Sequence, residues 1–289
     1  MMNIETLTPT EFVELPLVIE GESKEVRYAG DGEVVIRLKP TIYSYTHNRG
    51  GEIAGSDALR LRAIRALLPV LRQAGIAHTY IDVNDRWIKS RLVLQAPCVG
   101  AERFVPDDLS AAEVASLPVA PPLEVVAKAR HSGTPKHRYF EFDRQQVRGN
   151  HPRFSGLGFA NDEPYPEPFV RFDWRNPLTD TAGNRLADEV LPEAMADWFI
   201  DVPQAIKTAR IAFDALRGHF RERNLELWDI CFFVAEDGNT MFGEVSPDCM
   251  RVRAADGSSL DKDVWRQGGS SDQVLQKWQT LVDRLELSG

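Results

Sequence analysis

The sequence predicts an α+β fold, because β-type runs come first and the longest helical patterns come later in the chain. Residues 25–28 and 33–38 are short β-type runs, and a Gly-Asp-Gly turn separates them. Residues 57–74 then follow a helical repeat, and another long helix is predicted after Asp201. Strands that come first, with helices packed on one side of them, are typical of this fold class.

The helical repeat of residues 57–74 has one apolar face and one charged face. The apolar face is formed by Leu61, Ile64, Leu67, Leu68 and Leu71. Its arginines are interpreted as a solvated surface, and they are Arg60, Arg62, Arg65 and Arg72. Gly75 follows as a typical helix stop, and residues 78–83 and 91–94 are predicted strands.

A proline-rich stretch divides the chain. We expect an amino-terminal α+β lobe at residues 1–94, a linker or insertion at 95–121 and a carboxy-terminal α+β lobe at 122–289. Within the middle stretch, a short helix is predicted at residues 110–116. A second stretch rich in proline and glycine, at residues 149–168, has the length of a functional loop.

The second half contains two helices and a predicted hairpin. Asp201 is a suitable cap for the first helix. Residues 225–234 and 240–245 are apolar runs on either side of a Glu-Asp-Gly-Asn turn, which predicts a β-hairpin. A final helix is predicted at residues 271–285, where apolar positions recur with helical spacing.

Composition excludes several classes of function. The chain has 289 residues, of which 43% are hydrophobic, and its net charge is −9. An acidic chain is a poor nucleic-acid binder, because phosphate neutralisation needs a basic stripe. No apolar run approaches the roughly 20 residues that span a membrane, and residues 1–16 lack a signal-peptide core. Three cysteines without a CxxC pair favour a reduced compartment. We therefore expect a cytoplasmic protein without nucleic-acid or membrane partners.

Two basic features are candidate anion sites. Gly21 lets backbone N–H groups approach a phosphate, and Lys24 would supply a charge beside it, although a plain turn with a surface lysine is the simpler alternative. Residues 128–138 hold six basic or titratable side chains around a Ser-Gly-Thr turn. In an acidic chain, this clustering favours a phosphate-binding loop over a solvated surface loop.

Carboxylates near the predicted hairpin form a third candidate site. Asp229 lies on one predicted strand, and Glu244 and Asp248 lie on and after the other. Hairpin pairing would bring them together to hold a hard cation or an amine substrate, whereas a buried ion-pair network is the alternative. Cys231, in an apolar run, is interpreted as a core residue.

These residues resemble the SAICAR synthetase family. EVSPDCMR at residues 244–251, followed by SLDKDVWRQ at 259–267, is similar to the family pattern D-E-x-S-P-D-x-x-R … L-D-K-D-x-F-R. Weaker similarities occur in the family's order at residues 21–28, 122–134, 168–180 and 227–229.

The resemblance implies a fold, a reaction and two cofactors. The implied fold has two α+β lobes, antiparallel sheets with flanking helices, and an active site in the cleft between the lobes. The implied enzyme uses ATP and Mg²⁺ to activate a carboxylate on a phosphoribosyl-imidazole. The amine of aspartate then displaces phosphate and an amide forms. Its chemistry is mostly positioning and charge neutralisation, as in other phosphoryl transfers.

Carried over position by position, the resemblance and the basic loop predict site residues. The predicted substrate-binding residues are Lys128, Arg130, Thr134, Arg251, Lys262 and Arg266. Lys24 matches a nucleotide-binding lysine of the family's opening motif. The predicted catalytic residues are Asp229, Glu244 and Asp248.

Other family positions are changed. Phe233 and Gly243 stand where the family has the glutamate and aspartate that look like its magnesium ligands, so the metal ligands of this chain stay unknown. Three lysine positions of the family are occupied by Glu22, Ser56 and Cys231. These changes remove positive charge and hard oxygen ligands from the implied ATP subsite.

Three functions are therefore expected as alternatives. The first is an ATP-dependent ligase that joins a carboxylate of phosphoribosyl-azole type to an amino-acid amine through an acyl phosphate, with Asp229 and Glu244 as replacement metal carboxylates. The second is a repurposed homologue that catalyses an ATP-independent reaction in specialised metabolism. The third is a non-catalytic nucleotide-binding protein. ATP and Mg²⁺ are cofactors only if the ligase hypothesis holds. The expected partner is a small anionic or phosphorylated substrate, and self-association is compatible with all three.

Overall fold

Two five-stranded antiparallel sheets form the framework of the structure. The computed structural model describes residues 2–44, 49–96, 103–133, 162–176, 178, 180–183, 186 and 188–287. Helices pack against the sheets, so the predicted α+β class is confirmed.

The first sheet is built from the amino-terminal part of the chain, with strand order β1-β2-β3-β7-β6. Its strands are β1 (Leu17–Glu20), β2 (Lys24–Gly30), β3 (Glu33–Leu38), β6 (Tyr80–Val83) and β7 (Ile88–Arg91). A separate hairpin is formed by β4 (Thr41–Ser44) and β5 (Arg49–Glu52). The predicted turn between β2 and β3 is present, and its Gly-Asp-Gly residues all have positive φ angles, which glycine adopts at little cost.

The second sheet is built from the carboxy-terminal part of the chain, with strand order β12-β11-β10-β13-β14. Its strands are β10 (Leu123–Arg130), β11 (Pro164–Trp174), β12 (Glu189–Leu191), β13 (Leu225–Phe232) and β14 (Met250–Ala254). Between the two sheets in sequence, β8 (Leu94–Gln95) and β9 (Val119–Ala120) pair in parallel.

Helices pack on the sheets. They are α1 (Pro9–Glu14), α2 (Ser56–Gln73), α3 (Ala111–Ser116), α4 (Glu193–Ala196), α5 (Val202–Arg221), α6 (Asp263–Arg266) and α7 (Ser271–Glu286). Helices α1 and α2 lie on opposite faces of the first sheet. Asp201 caps α5 as predicted, because its carboxylate accepts a hydrogen bond from the backbone of Gln204 at 2.9 Å. In the described part of the chain, every helix is too short or too polar to cross a bilayer.

The main core lies between the second sheet and the helices α2, α5 and α7. Phe172 and Ile230 contribute from the sheet, and Leu67, Phe213 and Trp278 contribute from the three helices. All five are at most 1% exposed, and each such burial stabilises the fold by about 1.5–3 kcal/mol.

The stretch between the sheets packs on the first sheet. Phe104 and Leu117 contact the apolar cluster of that sheet. Asp108 accepts hydrogen bonds from the Tyr28 hydroxyl at 2.5 Å and from the Asp31 backbone at 3.0 Å. The described part of this stretch is therefore a surface layer over the β2–β3 turn.

The predicted hairpin at residues 225–245 forms only beside its turn. Asp237 accepts hydrogen bonds from the backbone of Asn239 and Thr240, and Val234 pairs with Met241 in an antiparallel bridge. The strand that pairs with β13 along its length, however, is β14, and the backbone of Met241 also bonds to Ala77, just before β6, at 2.9 Å. The pairing ends before Gly243, which fits the weakening of a strand by glycine.

Candidate functional site

One face of the second sheet is lined by charged side chains. Along β10, Val125 and Ala127 point into the core, whereas Glu124 and Lys128 point to the opposite side. We call this opposite side the charged face. Its other members are Arg171, Asp173, Asp229, Arg251 and Arg253.

Asp229 is the centre of a buried cluster on the charged face. Its Oδ2 atom accepts hydrogen bonds from Lys128 Nζ at 2.5 Å, Arg251 Nη1 at 2.8 Å and Ser132 Oγ at 3.3 Å. The strand register explains this meeting, because Asp229 lies opposite Lys128 on one side and Arg251 on the other. Burial alone would raise the pKa of Asp229, but the charges of Arg251 and Lys128 hold it well below its usual range.

A glycine lets Arg251 reach this cluster. Gly133 follows β10 with a φ angle of +66°, and a Cβ atom there would lie 2.7 Å from Arg251 Nη1. The loop after β10 therefore packs directly on the guanidinium, which leaves no space for a larger residue at this position.

Further carboxylates extend the cluster. Asp263 accepts hydrogen bonds from Arg253 and Arg266, both at 2.6 Å, and from Arg251 at 3.3 Å. Asp261 is fully buried and accepts from Arg253 at 2.6 Å. Two of the predicted substrate-binding residues, Arg251 and Arg266, thus share the carboxylate of Asp263.

Lys128 belongs to the Asp229 cluster, whereas Lys262 and Arg130 have other partners. Lys262 pairs with Asp248 at 3.1 Å. Arg130 donates two hydrogen bonds to Glu226, at 2.9 and 2.6 Å, and its guanidinium lies 5.1 Å from the centre of the Trp228 ring. Thr134 lies outside the described residues.

Glu244 belongs to a second buried cluster, built around Arg60 of α2. The guanidinium of Arg60 donates to both carboxylate oxygens of Glu244, and the hydroxyl of Ser246 donates to one of them. Burial alone would raise the pKa of Glu244, but Arg60, Ser246 and Lys24 lower it to about 2. Asp229 and Glu244 thus bind different cations, which matches the expected alternative of a buried ion-pair network and not a shared cation or amine site.

Arg60 was missed by the sequence interpretation. Its side chain is fully buried, not part of a solvated surface. A usable pattern was present, since Arg60 is spaced four and seven residues before Ile64 and Leu67 and so shares their helix face. An arginine on an apolar stripe requires a buried carboxylate, and only the folded chain shows that Glu244 supplies it.

An aromatic ring contacts two cations beside these clusters. Lys24 Nζ lies 5.8 Å and the Arg175 guanidinium 5.0 Å from the centre of the Phe233 ring. Burial and the charges of Arg175 and Arg60 lower the pKa of Lys24, although Glu244 opposes them. Both cations therefore contact the ring face, a favourable cation–π arrangement.

Phe233 and Gly243 form a matched pair. A Cβ atom built on Gly243 would lie 2.4 Å from Phe233 Cδ2 and 2.8 Å from Phe233 Cβ. The ring therefore occupies the volume that any side chain at position 243 would need. A phenylalanine at position 233 therefore requires glycine at position 243.

Replacing Gly243 by alanine is expected to destabilise the protein by about 1–3 kcal/mol, because the new methyl group overpacks against Phe233. The cost should be smaller in a Phe233→Ala background. Gly218→Ala is the control, since a Cβ at Gly218 meets nothing within 4 Å. Urea unfolding of the four variants of this cycle measures the coupling, and an equal cost of Gly243→Ala in both backgrounds would contradict it.

A carboxyl and a thiol form a further contact on the charged face. Glu124 and the Cys231 thiol are diagonal neighbours across β10 and β13, since Val126 pairs with Cys231, and the thiol lowers the pKa of Glu124. Glu124 also lies 3.8 Å from Arg175 Nε. The interpretation of Cys231 as a core residue is wrong: the apolar neighbour Phe232 enters the core, whereas Cys231 is half-buried on the charged face. The alternation of side chains along β13 decides this orientation.

Solved structures with this architecture are SAICAR synthetases. A type-2 SAICAR synthetase in complex with ADP superposes with a TM-score of 0.68, at 18% identity, covering 94% of this chain and 97% of its own. The phosphoribosylaminoimidazole-succinocarboxamide synthase of Ehrlichia chaffeensis superposes with a TM-score of 0.69, at 16% identity, covering 95% and 100%. This chain has the SAICAR synthetase fold. The predicted resemblance is confirmed at the level of the fold, at the low identity of a divergent relative.

One curated protein is similar to most of this chain. Bifunctional cordycepin biosynthesis cluster protein 3 of Cordyceps militaris is 27% identical over 91% of this chain. The match covers 32% of that protein, so this chain spans about a third of its length. No protein-family profile matches the sequence.

The residues present do not fit a magnesium ion at the site that the SAICAR synthetase resemblance implies. Phe233 and Gly243 offer no oxygen ligand from their side chains, and Mg²⁺ requires near-octahedral oxygen coordination. Asp229 and Glu244 are each neutralised by internal cations. Among the described residues, no three His, Cys, Asp or Glu side chains are grouped to hold a metal.

Proposed function

We propose that this chain is an enzyme of specialised metabolism that binds a phosphorylated azole-type substrate and transforms it without Mg²⁺-bound ATP. The packing of the Phe233 ring against Gly243 carries this proposal. The aromatic ring at position 233 replaces a carboxylate that would bind a metal ion. Because that ring fills the space beside Gly243, a ligand side chain has no room at position 243 either. The two changes together favour a remodelled subsite over the loss of single residues.

Charge supports an anionic ligand on the charged face. In the Asp229 cluster and its extension, four cations (Lys128, Arg251, Arg253 and Arg266) face three carboxylates (Asp229, Asp261 and Asp263). One positive charge therefore remains uncompensated within the set. The side chains of Arg251 and Arg266 keep 15% and 18% exposure, which allows contact with a phosphate.

Lys128 has a supporting role in this proposal. Its side chain is 1% exposed and its amine is already bonded to Asp229. We therefore assign it to holding Asp229, which in turn orients Arg251, and we assign the phosphate contact to the arginines. The curated relative from a cordycepin biosynthesis cluster supports specialised metabolism as the setting.

An ATP-dependent ligase is the second candidate. It is favoured by Lys24 and Arg175, two cations that flank the Phe233 ring where they could contact phosphate oxygens, and by the ADP in a solved structure of this fold. In this version the nucleotide would be held by cations in place of a metal. Turnover of a carboxylate and an amine with release of ADP would establish it.

Calorimetric titration with ATP, with and without Mg²⁺, separates the two candidates. Without metal ligands at positions 233 and 243, Mg²⁺ is expected to change the ATP affinity by less than about threefold, which is under 1 kcal/mol. A tenfold or larger gain on adding Mg²⁺ would overturn the proposal and favour the ligase.

A second titration, with a phosphoribosyl-imidazole carboxylate, tests the anion site. Arg251→Gln is expected to weaken binding by about tenfold or more, because it removes a charge-assisted hydrogen bond of about 1.5–3 kcal/mol. Arg65→Gln is the matched control, since Arg65 pairs with Asp85 on the surface. Equal affinity of wild type and Arg251→Gln would place the ligand elsewhere.

A further inference from the structure

Glu124 occupies an unusual position among the acidic residues of the charged face. Asp229, Asp261 and Asp263 are each bonded at 2.8 Å or less to at least one cation. Glu124 has a single, longer contact with a cation, the 3.8 Å approach of Arg175 Nε, together with the Cys231 thiol. Its side chain is 19% exposed, so it is largely buried but still reachable from solvent.

We propose that Glu124 is the proton donor and acceptor of the charged face, with the Cys231 thiol and Arg175 holding its carboxylate form. The proposal deepens the proposed function, because it names a group that can act on the ring or leaving group of the bound substrate without a metal. A proton transfer by Glu124 requires no nucleophile, no metal ion and no nucleotide.

Neighbouring charges make Glu124 suited to the role. Directly across the strand register lies Asp173, and Asp188 also faces the carboxyl. Burial and these two carboxylates raise the pKa of Glu124 to about 7, against the opposing effects of Arg175 and Cys231. A group that titrates near the working pH is an efficient acid and base, because both of its forms are populated.

Cys231 acts in this arrangement as a hydrogen-bond donor. Burial, with the nearby carboxylates of Glu124, Asp229 and Asp173, raises the pKa of its thiol, so the sulfur keeps its proton. A protonated thiol stabilises the carboxylate when Glu124 has lost its proton. The family lysine that Cys231 replaces would instead hold Glu124 permanently ionised, so the cysteine is what frees this carboxyl to titrate.

The proposed proton transfer involves only Glu124 and the substrate. The neutral carboxyl transfers its proton to a basic atom of the substrate, such as a ring nitrogen or a leaving oxygen, and becomes a carboxylate. The thiol and Arg175 then stabilise that carboxylate. In the reverse direction, the carboxylate removes a proton from the substrate and the neutral acid is restored.

Carbon-13 NMR of glutamate-labelled protein tests the central point directly. The Glu124 signal is assigned by its loss in Glu124→Gln, with the exposed Glu236→Gln as an assignment control. We expect a titration midpoint near 7, compared with about 4.3 for an ordinary glutamate. In Cys231→Ala the midpoint should rise further, because a donor to the carboxylate is lost. An ordinary midpoint, or no change in Cys231→Ala, would overturn the proposal.

Proton-linked binding tests whether the group serves the ligand. Calorimetric titration of a phosphoribosyl-imidazole carboxylate at pH 7.5, in two buffers of different ionisation enthalpy, measures proton uptake. An anion bound nearby should further favour the neutral carboxyl of Glu124, so the wild type should take up protons when the ligand binds. The Glu124→Gln variant should still bind the ligand, but without this proton uptake. Binding with identical uptake in both proteins would overturn the proposal. Absence of binding in the wild type would contradict the proposed substrate, while the NMR midpoint would still decide the role of Glu124.

Discussion

Replacing Glu244 by leucine is expected to destabilise the protein by about 3–5 kcal/mol, because it leaves the fully buried Arg60 guanidinium without its carboxylate. Arg60 would keep only the Lys39 carbonyl at 3.0 Å and the partial dipoles around it. The loss is a large fraction of the total stability of an ordinary domain, so much of the variant should be unfolded at moderate urea. Urea unfolding followed by circular dichroism measures it.

The control for this prediction is the double variant Arg60→Met/Glu244→Leu. Replacing a buried ion pair by apolar residues of similar volume is often neutral, so the double variant should be more stable than Glu244→Leu alone. In the wild type, the pKa of Glu244 is lowered to about 2, so its stabilising effect is present above pH 4.5 and lost as the pH falls towards 2. A cost below about 1 kcal/mol for Glu244→Leu would mean that Arg60 reaches water in solution.

Replacing Asp229 by asparagine is expected to cost about 3–5 kcal/mol at neutral pH, because Lys128 and Arg251 lose the carboxylate that they share. The asparagine keeps the shape of the side chain, so the loss reports charge and not a cavity. The variant should also bind the phosphorylated ligand more weakly, since Arg251 is no longer held in place. Urea unfolding and calorimetric titration measure the two effects.

The pH dependence of this variant identifies the cause. Without Asp229, burial lowers the pKa of Lys128 in the folded state, so the folded protein binds fewer protons than the unfolded chain and its stability should rise with pH. Asp248→Asn is the control, because Asp248 pairs with Lys262 at a partly exposed position, and it should cost about 1 kcal/mol or less. If Asp229→Asn lowers the free energy of unfolding as little as Asp248→Asn does, Asp229 is not part of a buried ion-pair cluster.

Local patterns predicted the secondary structure well where a helix or a turn is determined by its own residues. The helices at residues 57–74 and after Asp201 form within one or two residues of the predicted bounds, because apolar spacing and caps lie within the segment itself. The hairpin prediction held only beside its turn, for a complementary reason. The turn at Asp237 is local, but the partner of β13 along its length is chosen by packing between distant segments, and β14 lies well beyond that turn.

The candidate site divides in the same way. Lys128, Asp229 and Arg251 were singled out from sequence patterns, and the strand register then brought them into one cluster. Arg60 and Glu124 were missed. The spacing of Arg60 places it on the apolar face of its helix, but the partners of both residues come from distant segments and are known only in the folded chain.

The sequence by itself determined the α+β class, the long helices, the resemblance to SAICAR synthetases and the loss of side-chain oxygens at positions 233 and 243, since each depends on residue identity and local spacing. Only the tertiary structure decided which cation neutralises which carboxylate. It separated Glu244 from Asp229 and packed Phe233 on Gly243. The physical reason is that ion pairing and close packing depend on distances of a few ångströms between segments far apart in the chain, and burial sets how strongly those charges interact.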